Sequence, residues 1–232
     1  MTGLASGFEA AKVCPWAFQY EFLGKSPKEL GQYEFFWPHM GLTQAREILP
    51  DARVVTILRK PQDRILSSYR YWRTQYRSAP DHPHLHDLCH KVRDMSLLEY
   101  LASDDPAILR AIDNAQFRFI CGGAFGHDSA TRAQSFGPAA PLSDLVDLAL
   151  RRMVEDFDFI GVAEHLERSL SKASRACGLN IQVADYRNNV NHDAADAGLT
   201  ITAEMQRHLD RLTEYDAVVY DRAVALLFDA DR

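Results

Sequence analysis

Residues 52–77 read Ala-Arg-Val-Val-Thr-Ile-Leu-Arg-Lys-Pro-Gln-Asp-Arg-Ile-Leu-Ser-Ser-Tyr-Arg-Tyr-Trp-Arg-Thr-Gln-Tyr-Arg, and the fold is read outward from them. Val54 to Leu58 is a short, apolar, β-branched run, the pattern of a strand buried on both faces in a parallel sheet. Pro61 follows two residues after Arg59, where proline opens a helix. From there the period changes: Ile65, Leu66, Tyr69, Trp72 and Tyr76 recur at three- and four-residue steps. The stretch therefore predicts strand, tight turn and helix, with Arg59 at the carboxyl end of the strand. In open α/β sheets that end is where ligands sit.

The spacing from Arg59 to Ser67 adds chemistry. Ser67 lies about two turns into the helix and near Arg59 if strand and helix pack together. A guanidinium and a hydroxyl make a phosphate grip, one a charged planar fork and the other a neutral donor. The plainer reading pairs Arg59 with a local carboxylate and leaves Ser67 as a small packing residue. Upstream, Tyr33 to Trp37 reads as a strand that ends in Pro38-His39-Met40-Gly41. A strand-end imidazole such as His39 suits acid–base work because it titrates near neutrality, although a lone histidine is more often structural.

Composition narrows the classes. At 232 residues a single domain spanning 1–232 with a sizeable core is expected. The net charge of −6 argues against a strongly basic nucleic-acid surface. No apolar run reaches membrane-spanning length, and no secretory signal is read at the start of the chain. The four cysteines, Cys14, Cys89, Cys121 and Cys177, form no C-x-x-C pair. They read as free thiols of a reducing compartment, so a cytoplasmic location is expected.

Further along, Leu42 to Leu49 reads as a short helix, and Ser96 to Ala102 and Pro106 to Ile120 as two more. Between Ser78 and His90 stand four histidines and a cysteine. His86 and His90, four residues apart, share a face if the run is helical, and a metal-dependent hydrolase is then a possible reading. With Pro80 and Pro83 in the run and no specific zinc spacing, a solvated loop is the expectation and no metal is assigned. Residues 122–141 form the longest expected loop. Ser143 is placed as the cap of a helix reaching Val154. Phe157 to Val162 is a second buried-strand candidate, followed by a helix from Glu164. Ala203 to Phe228 carries an amphipathic stripe from Met205 to Leu227 that packs on the sheet.

The stretch Val-Thr-Ile-Leu-Arg-Lys-Pro-Gln-Asp-Arg-Ile-Leu-Ser-Ser-Tyr-Arg-Tyr resembles the 3′-phosphate-binding segment of the sulfotransferases that use 3′-phosphoadenosine 5′-phosphosulfate (PAPS). It is most similar to the carbohydrate-type family that includes the heparan sulfate 2-O-sulfotransferases. Weaker similarity lies in Asn114-Ala-Gln-Phe-Arg-Phe-Ile-Cys-Gly, like the family's Asn-x-x-x-Arg-x-x-x-Gly helix end, and in Phe157-Asp-Phe-Ile-Gly-Val-Ala-Glu164, like its Phe-x-Phe-Val-Gly-x-x-Glu passage. The resemblance implies that Arg59 and Ser67 hold the 3′-phosphate. Lys60 departs from the family, which usually has an acidic residue there. His39, twenty residues before Arg59, matches the histidine that takes the proton of the acceptor hydroxyl.

The family's 5′-phosphosulfate loop has its nearest match in Thr2, Gly3 and Ser6, with no strand before them and no lysine in the loop's register. The plainer reading of these residues is a frayed tail. Arg187, in the polar loop 185–193, matches a basic residue that reaches over the nucleotide; a solvated loop arginine is its ordinary reading. The implied fold is α/β, three-layered, with a mostly parallel sheet flanked by helices, related to P-loop nucleoside triphosphate hydrolases, and with the N-terminal strand and loop missing or shortened. The implied reaction moves a sulfuryl group from PAPS to a hydroxyl, with a carbohydrate as the expected acceptor. No metal, nucleic acid or membrane span is expected. The alternative is a relative that binds the nucleotide or a glycan without transferring sulfate.

Overall fold

The computed structural model describes residues 14, 25–36, 41–75, 83–122, 141–178 and 200–229. These residues form a mixed α/β arrangement rich in helix. In chain order the elements are α1 (Pro27–Leu30), α2 (Leu42–Ile48), β1 (Val55–Leu58), α3 (Pro61–Gln75), α4 (Pro83–Arg93), α5 (Leu97–Leu101), α6 (Pro106–Ile112), α7 (Ala115–Ile120), α8 (Val146–Glu155), β2 (Phe159–Val162), α9 (Leu166–Cys177) and α10 (Ala203–Phe228). Short 3₁₀ turns precede α8 (Leu142–Leu145) and α9 (Ala163–His165).

Among the described residues the sheet has two strands. They run parallel, with Val55 opposite Phe159 and Leu58 opposite Val162. Parallel neighbours need a long crossover, and here it is the whole run from α3 to α8. Arg46 braces the entry to both strands, donating to the carbonyls of Ala52 and Asp156, each at 2.6 Å. The Asp158 carboxylate accepts from the Val54 amide at 2.7 Å.

Two apolar clusters share α10. Leu209 and Leu212 belong to the first, with Ile65, Tyr69 and Tyr100 from α3 and α5. Val219, Ala223 and Leu227 belong to the second, with Leu58, Phe117 and Val162. The stripe from Met205 to Leu227 thus buries one helix face against both α3 and β2, as its period predicts.

Caps mark several helix ends. Ser96 and Glu99 form a reciprocal capping box at α5, and the Thr202 hydroxyl accepts from the Met205 amide at α10. Gly178 closes α9 at φ 66°.

Several expectations are corrected. β1 is not buried on both faces: Val55 and Ile57 are 36% and 37% exposed, because the strand has β2 on one edge and a cavity along the other. Tyr33 to Phe36 does not form a strand; it carries one isolated bridge residue, Phe35, whose carbonyl accepts from the Cys14 amide at 2.8 Å. The histidine run is not a loop from Pro83 onward. It forms α4, opened by that proline and held by buried Leu88, Cys89 and Val92. Pro106 to Ile120 is two helices, broken at Asn114, which sits in the left-handed region at φ 47°. Ser143 caps nothing: it lies inside the 3₁₀ turn that follows Pro141, and its hydroxyl donates to Asp144.

At the sheet–helix seam the Ser169 hydroxyl bonds both the amide and the carbonyl of Val162, each at 2.9 Å. A Cβ on Gly161 would stand 2.6 Å from the Ser169 Cβ and 2.7 Å from the Ile57 Cδ1. Gly161→Ala is therefore expected to part β2 from α9 and to cost about 1–3 kcal/mol, read as a lowered denaturation midpoint.

Candidate functional site

The two strands end level, so Arg59, Lys60 and Glu164 emerge together at the carboxyl edge of the sheet. Arg59 is exposed, and its guanidinium makes no hydrogen bond or ion pair among the described residues. Its backbone, by contrast, is held on both sides. The Gln116 carboxamide accepts from the Arg59 amide at 2.7 Å and donates to the Arg59 carbonyl at 2.9 Å. Glu164 is engaged as well, accepting from the Lys60 amide at 2.8 Å and from the Tyr220 hydroxyl at 3.0 Å. A nearby carboxylate therefore fixes the turn after β1 without neutralising Arg59. The Tyr220 hydroxyl is pushed up to about 12, by burial first and then by its bond to Glu164.

Ser67 and Ser68, neighbours in the chain, have different fates. Ser68 accepts from the Trp72 indole at 2.9 Å and shares a 3.3 Å contact with the Tyr100 hydroxyl. Ser67 is half-buried, and its hydroxyl has no partner among the described residues. A helix turns about 100° per residue, so one serine faces the core while the next is turned from it. Arg59 and Ser67 are not hydrogen-bonded to each other, which leaves both donors unspent.

A polar node lies behind this edge, between the two apolar clusters on α10. The Asn114 amide donates to the Leu212 carbonyl at 2.8 Å. The Asn114 side-chain oxygen accepts from the amides of Tyr215 at 2.7 Å and Asp216 at 3.2 Å. Asp216, fully buried, accepts from the Phe117 amide at 2.7 Å, in the first turn of α7. Its other oxygen stands 3.9 Å from the Arg64 Nη2, and that oxygen, the Nη2 and the Arg64 Nε have no hydrogen-bond partner among the described residues. The Arg64 Nη1 donates to the Ala111 carbonyl at 3.0 Å. Burial pushes the Asp216 carboxyl up to about 6, against the pull of Arg64. The Arg64 guanidinium is pushed down by burial, and the charge of Arg59 adds to the effect.

A cavity of about 810 Å³ runs beside β1. Consecutive residues Val54 to Leu58 all line it. Alternate strand side chains point to opposite faces, so the cavity follows the strand edge rather than one face. Most of its lining is apolar, with Phe35, Leu42 and Phe119 among it, and it reaches Arg64 and Gln116. Arg59 and Ser67 do not line it.

Of the residues singled out in the sequence, Arg59 and Ser67 are thus placed on one strand–turn–helix. Thr2, Gly3, Ser6, His39 and Arg187 lie outside the described residues. So do loop residues 123–140 and 185–193. His90 is exposed on α4, and no group of three or more His, Cys, Asp or Glu side chains able to hold a metal ion occurs among the described residues. No described helix is long and apolar enough to cross a membrane.

The Asn114, Arg118 and Gly122 pattern has local structural work. Asn114 joins α7 to α10, Arg118 pairs with Asp113, and Gly122 turns at φ 93° after α7. Gln116 and Asp216 had no signal in the sequence beyond being polar residues within apolar periodicities. The four cysteines are free. Burial pushes the Cys121 thiol up to about 12, which keeps it protonated and unreactive. Comparison with protein-family models, with curated proteins and with solved structures returned no match.

Proposed function

We propose that this chain is a PAPS-dependent sulfotransferase that moves a sulfuryl group to a hydroxyl acceptor, a carbohydrate in the reading favoured here. The observation that carries it is the guanidinium of Arg59, unpaired among the described residues and presented at the carboxyl edge of a parallel strand pair in the segment that resembles the family's phosphate grip. The hydroxyl of Ser67 on the following helix, without a partner among the described residues, supports the same reading. In it, the fold is the three-layer P-loop-like one, and Arg59 and Ser67 hold the 3′-phosphate, the group that separates PAPS from ATP. Transfer of a sulfuryl group demands mostly positioning and positive charge against a spread negative charge, as phosphoryl transfer does. In this reading His39 takes the acceptor proton, and Thr2, Gly3, Ser6 and Arg187 contribute to binding the nucleotide.

Titration calorimetry with 3′-phosphoadenosine 5′-phosphate against ATP tests the binding half of this reading. The bisphosphate is expected to bind more tightly; equal affinities, or no binding of either, reject it. A sulfate-transfer assay on hydroxyl acceptors tests the other half. Residues 2–6 contain no lysine, and a chain that binds the bisphosphate yet transfers nothing is the non-catalytic relative.

The paired serines sharpen the test. Ser67→Ala is expected to weaken bisphosphate binding by about 1 kcal/mol, roughly fivefold, with folding stability unchanged. Ser68→Ala is expected to do the reverse: it strips partners from Trp72 and Tyr100, lowering stability by about 1–2 kcal/mol with affinity unchanged.

A further inference from the structure

We infer that Gln116 is the positioning residue for Arg59, holding the backbone on which the phosphate-binding guanidinium stands; this rests on the reading of Arg59 given above. The geometry is specific. One carboxamide bonds both the amide and the carbonyl of Arg59, at 2.7 Å and 2.9 Å, across 57 positions of chain. Only a group with a donor and an acceptor side by side can do this, which restricts the position to glutamine-like chemistry. Gln116 is buried, at 8% exposure, so its carboxamide is not shared freely with bulk water.

Gln116 is itself fixed. It lies in the first turn of α7, where Asp216 accepts the next residue's amide, and where Asn114 ties the start of α7 to Leu212, Tyr215 and Asp216 of α10. The order of support therefore runs from α10 to α7, from α7 to the Gln116 side chain, and from that side chain to the end of β1. With its backbone held, the Arg59 side chain needs to order only its own rotamers when an anion arrives. Preorganisation of this kind raises affinity by removing part of the ordering cost.

The experiment compares Gln116→Leu and Gln116→Glu with the wild type, using 3′-phosphoadenosine 5′-phosphate as the probe in calorimetry. Gln116→Leu is expected to bind about tenfold more weakly. In the same variant the Arg59 amide loses its protection from hydrogen exchange, a readout that needs no ligand. Gln116→Glu carries the control for a merely structural role. Ionised, its carboxylate accepts from the Arg59 amide but has no proton for the Arg59 carbonyl. Protonated, it regains the donor and restores both bonds. Its affinity relative to the wild type at the same pH is expected to recover as pH falls from about 6 to about 4, through the ordinary glutamate range.

Wild-type affinity and unchanged Arg59 amide exchange in Gln116→Leu, or a flat affinity ratio for Gln116→Glu across that range, overturns the inference. A wild-type chain that does not bind the bisphosphate overturns the nucleotide reading itself, and the two failures are thus told apart by the wild-type titration alone.

Discussion

Arg59→Ala is expected to abolish most of the affinity for 3′-phosphoadenosine 5′-phosphate while leaving the fold intact. The guanidinium is exposed and unpaired among the described residues, so its removal strands no buried partner. Its backbone contacts to Gln116 do not depend on the side chain. Loss of a charge-assisted pair to a phosphate is worth about 1.5–3 kcal/mol, roughly 10- to 150-fold in affinity. Arg59→Lys keeps the charge but not the planar fork, and an intermediate loss is expected. Calorimetry reads both, with thermal melts as the control. ATP, which lacks the 3′-phosphate, should lose little in either variant. If Arg59→Ala binds the bisphosphate as the wild type does, the strand-end arginine is not the phosphate ligand and the sulfotransferase reading fails with it.

The second large effect is on folding. Asp216→Ala is expected to destabilise the chain by about 3–5 kcal/mol, because it leaves the Arg64 charge buried with no counter-ion. It also removes the acceptor of the Phe117 amide at the start of α7. Equilibrium denaturation measures the loss.

Asp216→Asn separates charge from shape, and pH gives the sign. The native carboxyl sits at about 6, above its ordinary value of 3.8. Between those values the native state holds a proton that the unfolded state releases. Stability contributed by this group is therefore greatest below about pH 4, falls as pH rises toward 6, and is flat above. A shift of about two units corresponds to roughly 3 kcal/mol. The stability of the wild type relative to Asp216→Asn should fall by that order across the window. A difference that stays constant from pH 4 to about 7 would show that Asp216 does not titrate there.

Both predictions act on the same small region for different reasons. Arg59 faces outward and is free to meet a ligand. Asp216 faces inward, and its unsatisfied oxygen and the two unsatisfied Arg64 nitrogens lie between two apolar clusters that meet along α10. The node holds α7 and α10 together, and Gln116 on α7 holds the end of β1.

What the sequence by itself determined is local. The β-branched run before Arg59, proline at the first turn of α3 and of α4, the Ser96–Glu99 box and the Thr202 cap each act within four residues. Their physics is short-range; spacing alone read the Pro61 start of α3 and α10 to its ends, but it took the proline of α4 for part of a loop and singled out neither cap. It also separated Arg59 as the residue on which a strand stops.

What only the tertiary structure decided is where distant polar groups meet. Asn114 leaves the helical path because its amide and carboxamide find α10 about a hundred residues later, and those bonds outweigh the local preference to continue the helix. Val55 and Ile57 look like core residues by composition, yet their exposure depends on how many strands flank β1. Gln116 and Asp216 carry no pattern of their own. Their partners lie 57 and 99 positions away, and pairing over such distances is set by packing, which periodicity does not encode.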